Sequence, residues 1–311
     1  MRLRVVLLTL ITFFGLLLAP PASATRGGAT IVDEKQLDNR LVELTVRSDA
    51  LGQEVHVRLL LPPSWDREPH RRWPTLYLLH GCCETPDGFR KWTDRTDVEE
   101  LTATTEALIV MPEGGFAGFY SDWLDGPAWE TFHLTELRRL LEHDFRANRS
   151  RAVAGLSMGG FGALSYAARH PGMFRAAASF SGVVHTTYQG TVTTDAIRAI
   201  VGSTGANPDA LWGDPVVDAR AWAAHNPYDL ARRLHGIPVY LSSGNGQPGP
   251  LDPPGAQPDA TEQLLGEQAV ALADRLTGTV YTDFYGPGTH SWPYWERALH
   301  RSLPMLVAAL A

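Results

Sequence analysis

Lysine is almost missing from this chain. Lys35 and Lys91 are the only two, and arginine supplies the rest of the 27 basic residues against 34 acidic ones. Without a basic run able to track a phosphate backbone, the composition argues against nucleic acid as a partner. Cysteine is scarce and unhelpfully placed: the only two, Cys82 and Cys83, are neighbours. Adjacent Cα atoms lie about 3.8 Å apart, below the roughly 4.4 Å lower end of ordinary disulfide geometry. The pair therefore cannot staple distant segments. It reads as two buried thiols used as small apolar residues, with a strained vicinal disulfide as the alternative. No histidine pair stands at ligand spacing beside them, so no metal site is expected there, and the serine chemistry read below requires no organic cofactor.

Long apolar runs are also lacking, apart from one. Val5 to Leu18 follows Arg2 and Arg4 and runs into Pro20-Pro21-Ala22-Ser23-Ala24, which ends in an A-x-A site. Basic start, short apolar stretch and small-residue end make a signal peptide over 1–24, cleaved after Ala24, with no transmembrane segment left afterwards. The chain is thus expected to be exported, to the extracellular space or the cell envelope. Loss of Arg2 and Arg4 takes the basic count from 27 to 25 and the formal charge from −7 to −9.

What is present is organised around Val153-Ala154-Gly155-Leu156-Ser157-Met158-Gly159-Gly160. Small and apolar residues lead into a G-x-S-x-G pentad, and Phe161 to His170 continues as a helix stopped by Pro171-Gly172. Strand, sharp turn and helix in that order are the nucleophile elbow of an α/β-hydrolase. A strand turning directly into a helix holds the serine in a strained conformation, and side chains two residues away on either side would collide. The Met158 amide, at the head of the helix, then faces the place where an oxyanion would form.

Strands are expected at Leu41 to Val46, Glu54 to Leu61, Pro74 to Leu79, Leu108 to Met111, Ala176 to Phe180, Ile237 to Ser243 and Val280 to Tyr285. Thr25 to Asp38 reads as a polar lead-in. Helices are expected at Trp129 to Phe145, Glu262 to Leu276 and Tyr294 to Leu310. The alternation predicts a mainly parallel central sheet with helices on both faces, in one domain over 25–311. Residues 184–236 break the alternation and read as an insertion forming a partial lid. The apolar run Pro74 to Leu79 opens into His80-Gly81-Cys82-Cys83, where this fold takes its second oxyanion donor, so the Cys82 amide is the partner of Met158. His80 either shapes that loop or lines the substrate site.

Ser157 needs a base C-terminal to it, and His290 follows the last strand in a loop opened by Gly286, Pro287 and Gly288. His225, His235 and His300 are the rivals. The acid belongs between Ser243 and His290. Asp252 and Asp259 lie in the loop, Glu262 and Glu267 on the next helix, Asp283 in the last strand. Spacing does not decide among them, although a plain hydrolase would favour Asp252.

Several segments carry a resemblance: Phe119-Tyr120-Ser121-Asp122-Trp123, Trp129-Glu130-Thr131-Phe132, Gly155-Leu156-Ser157-Met158-Gly159, Gly244-Asn245-Gly246 and Gly288-Thr289-His290-Ser291-Trp292-Pro293-Tyr294-Trp295. In order, they resemble the secreted mycolyltransferases of the esterase D-like branch of α/β-hydrolases, from about Leu59 to Leu299. The resemblance implies a Ser-Glu-His triad with the glutamate near the start of the helix before the last strand. That position is Glu262, ahead of Asp252 and Glu267. Trp123, Trp292 and Trp295 would line an acyl or sugar site or fill the core. The loop His80-Gly81-Cys82-Cys83 departs from the Asp-Gly-Leu-Arg type of the mycolyl-transferring members and is closer to ordinary carboxylesterases. The expectation is a serine esterase/acyltransferase working on acyl esters of small alcohols, glycerides or sugars through an acyl-enzyme on Ser157. A true mycolyltransferase, and a non-catalytic secreted binding protein on the same scaffold, are the alternatives.

Overall fold

The computed structural model describes residues 28–84 and 87–311, so the expected signal peptide lies outside the described residues. Nine strands form one sheet: β1 (Thr30–Gln36), β2 (Leu41–Ser48), β3 (Gln53–Leu60), β4 (Trp73–Leu79), β5 (Leu108–Pro112), β6 (Ala147–Leu156), β7 (Ala176–Phe180), β8 (Val239–Ser243) and β9 (Val280–Phe284). Their order across the sheet is β1-β2-β3-β5-β4-β6-β7-β8-β9. The first three strands and β5 pair antiparallel, and every pairing from β5 to β9 is parallel. This is the α/β-hydrolase arrangement. β1 falls inside the stretch expected to be a polar lead-in. It is an edge strand exposed along most of its length, so it has no buried face to write an apolar alternation into its sequence.

Two apolar layers cover the sheet. On one face Phe132, Leu137, Leu141, Phe161 and Leu164 pack against Tyr77, Val110 and Val153. On the other, Trp92, Leu299, Leu303 and Leu306 cover Leu76, Ile109 and Ala154. The apolar stripe expected over 129–145 is buried, but the helix carries a π-helical stretch at Phe132–Leu137 between two α segments. The alternating strand residues thus serve opposite faces, which is why the central strands are buried at nearly every position. Among the described residues no helix is long and apolar enough to cross a membrane.

β6 sits near the middle of the sheet and delivers Ser157 at its C-terminal end, directly before the helix Met158–Arg169. β4 lies on one side of it and β7 on the other, with β8 beyond. Loops from these four strands therefore converge on the serine, as the crevice rule for open parallel sheets requires.

Candidate active site

Ser157 has φ +53° and ψ −120°, a conformation that costs an L-residue energy and holds its side chain clear of the sheet. The glycines around it make the turn sterically feasible. A Cβ on Gly155 would lie 2.3 Å from the Gly159 carbonyl oxygen, and one on Gly159 would lie 2.3 Å from that of Leu79. The Ser157 amide donates to Phe180 of β7 (2.9 Å), which fastens the turn to the neighbouring strand.

Three side chains from distant segments meet there. The Ser157 hydroxyl lies 3.0 Å from His290 Nε2, and His290 Nδ1 lies 2.8 Å from Glu262 Oε2. Glu262 is fully buried. Its other oxygen accepts from the Gly244 amide (2.6 Å), the Ser181 hydroxyl (2.9 Å) and the Tyr285 hydroxyl (3.3 Å). A buried carboxylate with this many donors is held in one orientation. The imidazole is also braced by Trp295, whose ring meets it edge-on at 4.8 Å.

Asp259 organises the approach of both groups. It caps the helix Ala260–Arg275, its Oδ1 accepting from the Thr261 (2.9 Å) and Glu262 (3.1 Å) amides, while Oδ2 accepts from the His290 amide (3.0 Å). Asp259-Ala260-Thr261-Glu262 has the spacing of a capping box, in which the glutamate would reach back to the cap residue's own amide. Here that amide donates to the Gly246 carbonyl instead (2.7 Å), and Glu262 is free to turn towards His290. Asp259, one of the candidate acids, is thus a helix cap and a tether for the His290 backbone. The capping pattern was the signal for its actual position; the contributions of Ser181 and Tyr285 left no comparable trace.

The other candidates lie elsewhere. Asp252 accepts from the Tyr294 hydroxyl (2.9 Å), the Gly249 amide (2.8 Å) and the Thr289 hydroxyl, so it braces the loop before His290 without touching the imidazole. Glu267 accepts from the Gln189 (3.0 Å) and Gln263 (3.2 Å) side-chain amides on the cavity wall. His300 pairs with Asp97 on the surface (2.8 Å). None of the four candidate substrate-site side chains, His80, Trp123, Trp292 and Trp295, lines the cavity at Ser157. His80 is buried behind the loop. Trp123 donates to the Gly118 carbonyl (3.0 Å) and faces a separate cleft with Trp129 and Pro127. Trp292 packs edge-on between Trp92 and Trp295 and donates to Glu84 (3.1 Å).

Met158 and Cys82 do line that cavity, beside Ser157 and His290. Among the described residues neither backbone amide donates to a loop, turn or cap carbonyl. The two cysteines are free thiols with Sγ atoms 2.6 Å apart, Cys82 half-buried and Cys83 exposed. The expectation of two buried thiols is therefore corrected: Cys83, at φ +69°, is exposed. The contact between the two thiols holds that of Cys83 below its ordinary pKa, and the same contact together with burial pushes that of Cys82 up.

The cavity measures about 620 Å³ and its walls are predominantly apolar. Val192, Ile197 and Ile200, from the helix Thr191–Gly202 in the irregular region after β7, line it together with Leu264 and Leu265. Gln189, Gln263 and Glu267 form a polar edge. Among the described residues no group of three or more His, Cys, Asp or Glu side chains could hold a metal ion.

A family model for esterases, described as "Putative esterase", matches residues 48–306. Esterase Rv1288 of Mycobacterium tuberculosis is 36% identical over 234 residues, which are 70% of this chain and 48% of that protein. The chain thus spans about half the length of that relative. The diacylglycerol acyltransferase/mycolyltransferase Ag85B of Mycobacterium leprae is 30% identical over 309 residues, covering 92% of this chain and 90% of that protein. The crystal structure of M. tuberculosis MPT51 (FbpC1) matches with a TM-score of 0.70 at 23% identity, over 90% of this chain and 99% of that one. At that identity the likeness is one of fold.

Proposed function

The chain belongs to the esterase family, and from that premise we propose that it is an exported serine esterase/acyltransferase whose nucleophile is Ser157. His290 Nε2 takes the hydroxyl proton as the oxygen attacks an acyl-ester carbonyl. Glu262 keeps the imidazole in the Nδ1–H tautomer and stabilises the imidazolium that forms. The Cys82 and Met158 amides receive the developing oxyanion. His290 then returns its proton to the leaving alcohol, and the acyl group remains on Ser157. Water or a second alcohol, deprotonated by the same imidazole, releases it.

The observation that carries this reading is the unbroken chain from Glu262 Oε2 through His290 to Ser157 Oγ, at 2.8 and 3.0 Å, opening onto an apolar cavity. A volume of about 620 Å³ suits an acyl chain of moderate length with a small alcohol, within the range of roughly 300–1,000 Å³ usual for small-molecule sites. The polar edge at Gln189, Gln263 and Glu267 offers donors and acceptors to a hydroxylated alcohol. Transfer is kept beside hydrolysis because a relative matched over nearly its whole length is named an acyltransferase.

A chain-length series of p-nitrophenyl esters, with and without glycerol or a sugar, tests the reading. Wild-type protein should turn the esters over and, with an acceptor present, yield acylated acceptor. Ser157→Ala should lose about 10⁴-fold or more in kcat. Turnover that survives this substitution rejects the mechanism.

A further inference from the structure

His80 is buried, lies outside the cavity and takes no part in the chemistry above, yet it carries three hydrogen bonds. Its Nδ1 lies 2.7 Å from the Gly81 carbonyl oxygen. Its Nε2 accepts from the Gly114 amide (2.8 Å), and its own carbonyl accepts from the Tyr120 hydroxyl (2.9 Å). The Gly81 carbonyl and the Cys82 N–H are opposite ends of one planar amide, so whatever fixes the direction of the first fixes the second. We propose that His80 is a positioning residue for the oxyanion hole: its Nδ1–H holds the Gly81 carbonyl and so aims the Cys82 N–H at the tetrahedral intermediate. This rests on the reading of the Cys82 amide as an oxyanion donor.

The surroundings leave the ring little freedom. Gly88 lies against it so closely that a Cβ there would come within 2.7 Å of three ring atoms. The buried Glu113 carboxylate lies 3.3 Å from Nε2. Burial disfavours an imidazolium here and Glu113 favours one, with the balance above the ordinary imidazole value. The outcome does not alter the role of Nδ1. The imidazolium and the neutral form that accepts from Gly114 both carry a proton on that nitrogen. The loop is also pressed against the elbow, since a Cβ on Gly81 would lie 2.9 Å from Leu156 Cδ1 and 3.4 Å from Ser157 Cβ. On the far side the Cys83 amide donates to the Phe116 carbonyl (2.8 Å). The peptides before and after the Cys82 N–H are therefore pinned as well, by Tyr120 and Phe116. Such preorganisation is what gives an oxyanion hole its effect, because the donor need not reorient as charge develops.

Asparagine and glutamine separate this role from mere packing. The amide of His80→Asn falls near Nδ1 and can still donate to Gly81, whereas that of His80→Gln falls near Nε2 and cannot. Active sites are counted with a fluorophosphonate, so that only folded, competent molecules enter the rates. His80→Gln should lower kcat for acylation about 10- to 100-fold with KM unchanged, short of the loss on deleting a donor outright. Its affinity for a trifluoromethyl ketone, which forms an oxyanion on Ser157, should fall by the same factor. Affinity for an ether analogue that forms none should hold, and His80→Asn should stay close to wild type. Wild-type values in His80→Gln, equal losses in the two variants, or a loss in KM alone would overturn the proposal. If His80→Gln gives no titratable sites, His80→Asn carries the test alone, and a loss of tenfold or more in its kcat overturns the proposal. Absence of any Ser157-dependent acylation in wild type would remove the functional reading first, and this inference with it.

Discussion

Two histidines in this protein face buried glutamates. At His290 the carboxylate approaches Nδ1 at 2.8 Å and leaves Nε2 to a hydroxyl in an open cavity. At His80 the carboxylate approaches Nε2 at 3.3 Å, and Nδ1 turns to a backbone carbonyl in the interior. The residue pair is the same and the burial of the acid is similar, so neither defines the function. What differs is the atom offered to the second nitrogen. A hydroxyl there can lose its proton and attack, whereas a carbonyl can only be held. One pair is suited to proton transfer and the other to fixing a peptide plane.

The same substitution at both acids should pull the two pairs far apart. Glu262→Gln replaces an acceptor with an amide whose N–H₂ faces Nδ1–H or forces the ring into the other tautomer, which puts a proton between Nε2 and the serine. A loss of about 10³- to 10⁴-fold in kcat is expected, with little change in KM. Glu113→Gln removes a charge that lies at Nε2, on the far side of the ring from the Nδ1 that holds the Gly81 carbonyl. Its kcat should fall less than about tenfold, since only the support behind a correctly protonated ring is weakened. Equal losses at the two positions would erase the distinction drawn here.

Acid titration sharpens the contrast through stability. Burial raises the Glu113 carboxyl, but the His80 imidazole and the Gly115 and Phe89 amides lower it more, leaving it below its ordinary value of 4.5. A carboxylate depressed in the folded state contributes stability that is fully present above the unfolded value and lost as pH falls through the folded one. The Tm difference between wild type and Glu113→Gln should therefore be complete near neutrality and shrink as pH drops below 4.5. A difference that stays constant down to acid unfolding would show that Glu113 is not ionised against His80.

The two pairs also differ in how far the sequence reveals them. Ser157 and His290 stand in local patterns that physics makes specific: glycines that only a strand-turn-helix requires, and a Gly/Pro-opened loop after the last strand. Most strands were legible because burial on one or both faces writes a period into them, and β1 was not because it has no buried face. Glu262 could be ranked only with the help of the family resemblance. The three donors on its far oxygen come from Ser181, Gly244 and Tyr285, which no spacing rule connects. The surroundings of His80 are harder still. Gly88 and Gly114 meet at the ring and Tyr120 at the His80 carbonyl, from two separate segments, and each reads locally as an ordinary turn or core residue. Trp123, Trp292 and Trp295 were ambiguous in the sequence, because an aromatic residue beside a functional motif suits a binding wall and a core position equally well.

Asp252 supplies the smallest expected effect and a control on the comparison. It is the carboxylate that a plain hydrolase pattern favours, and it stands beside the His290 loop. Its partners are the Thr289 and Tyr294 hydroxyls and the Gly249 amide, with no contact to the imidazole. Those donors, with the loop itself, lower its carboxyl against the opposing effect of burial. Asp252→Asn keeps one acceptor oxygen and removes the charge, so about 1 kcal/mol of stability is the expected cost. Catalysis should change little, because Asp259 still holds the His290 amide and Glu262 still holds Nδ1. A loss in kcat approaching that of Glu262→Gln, measured per titrated site, would make Asp252 the working acid. The Glu262 contact would then be a brace, and the two histidine–glutamate pairs would be alike after all.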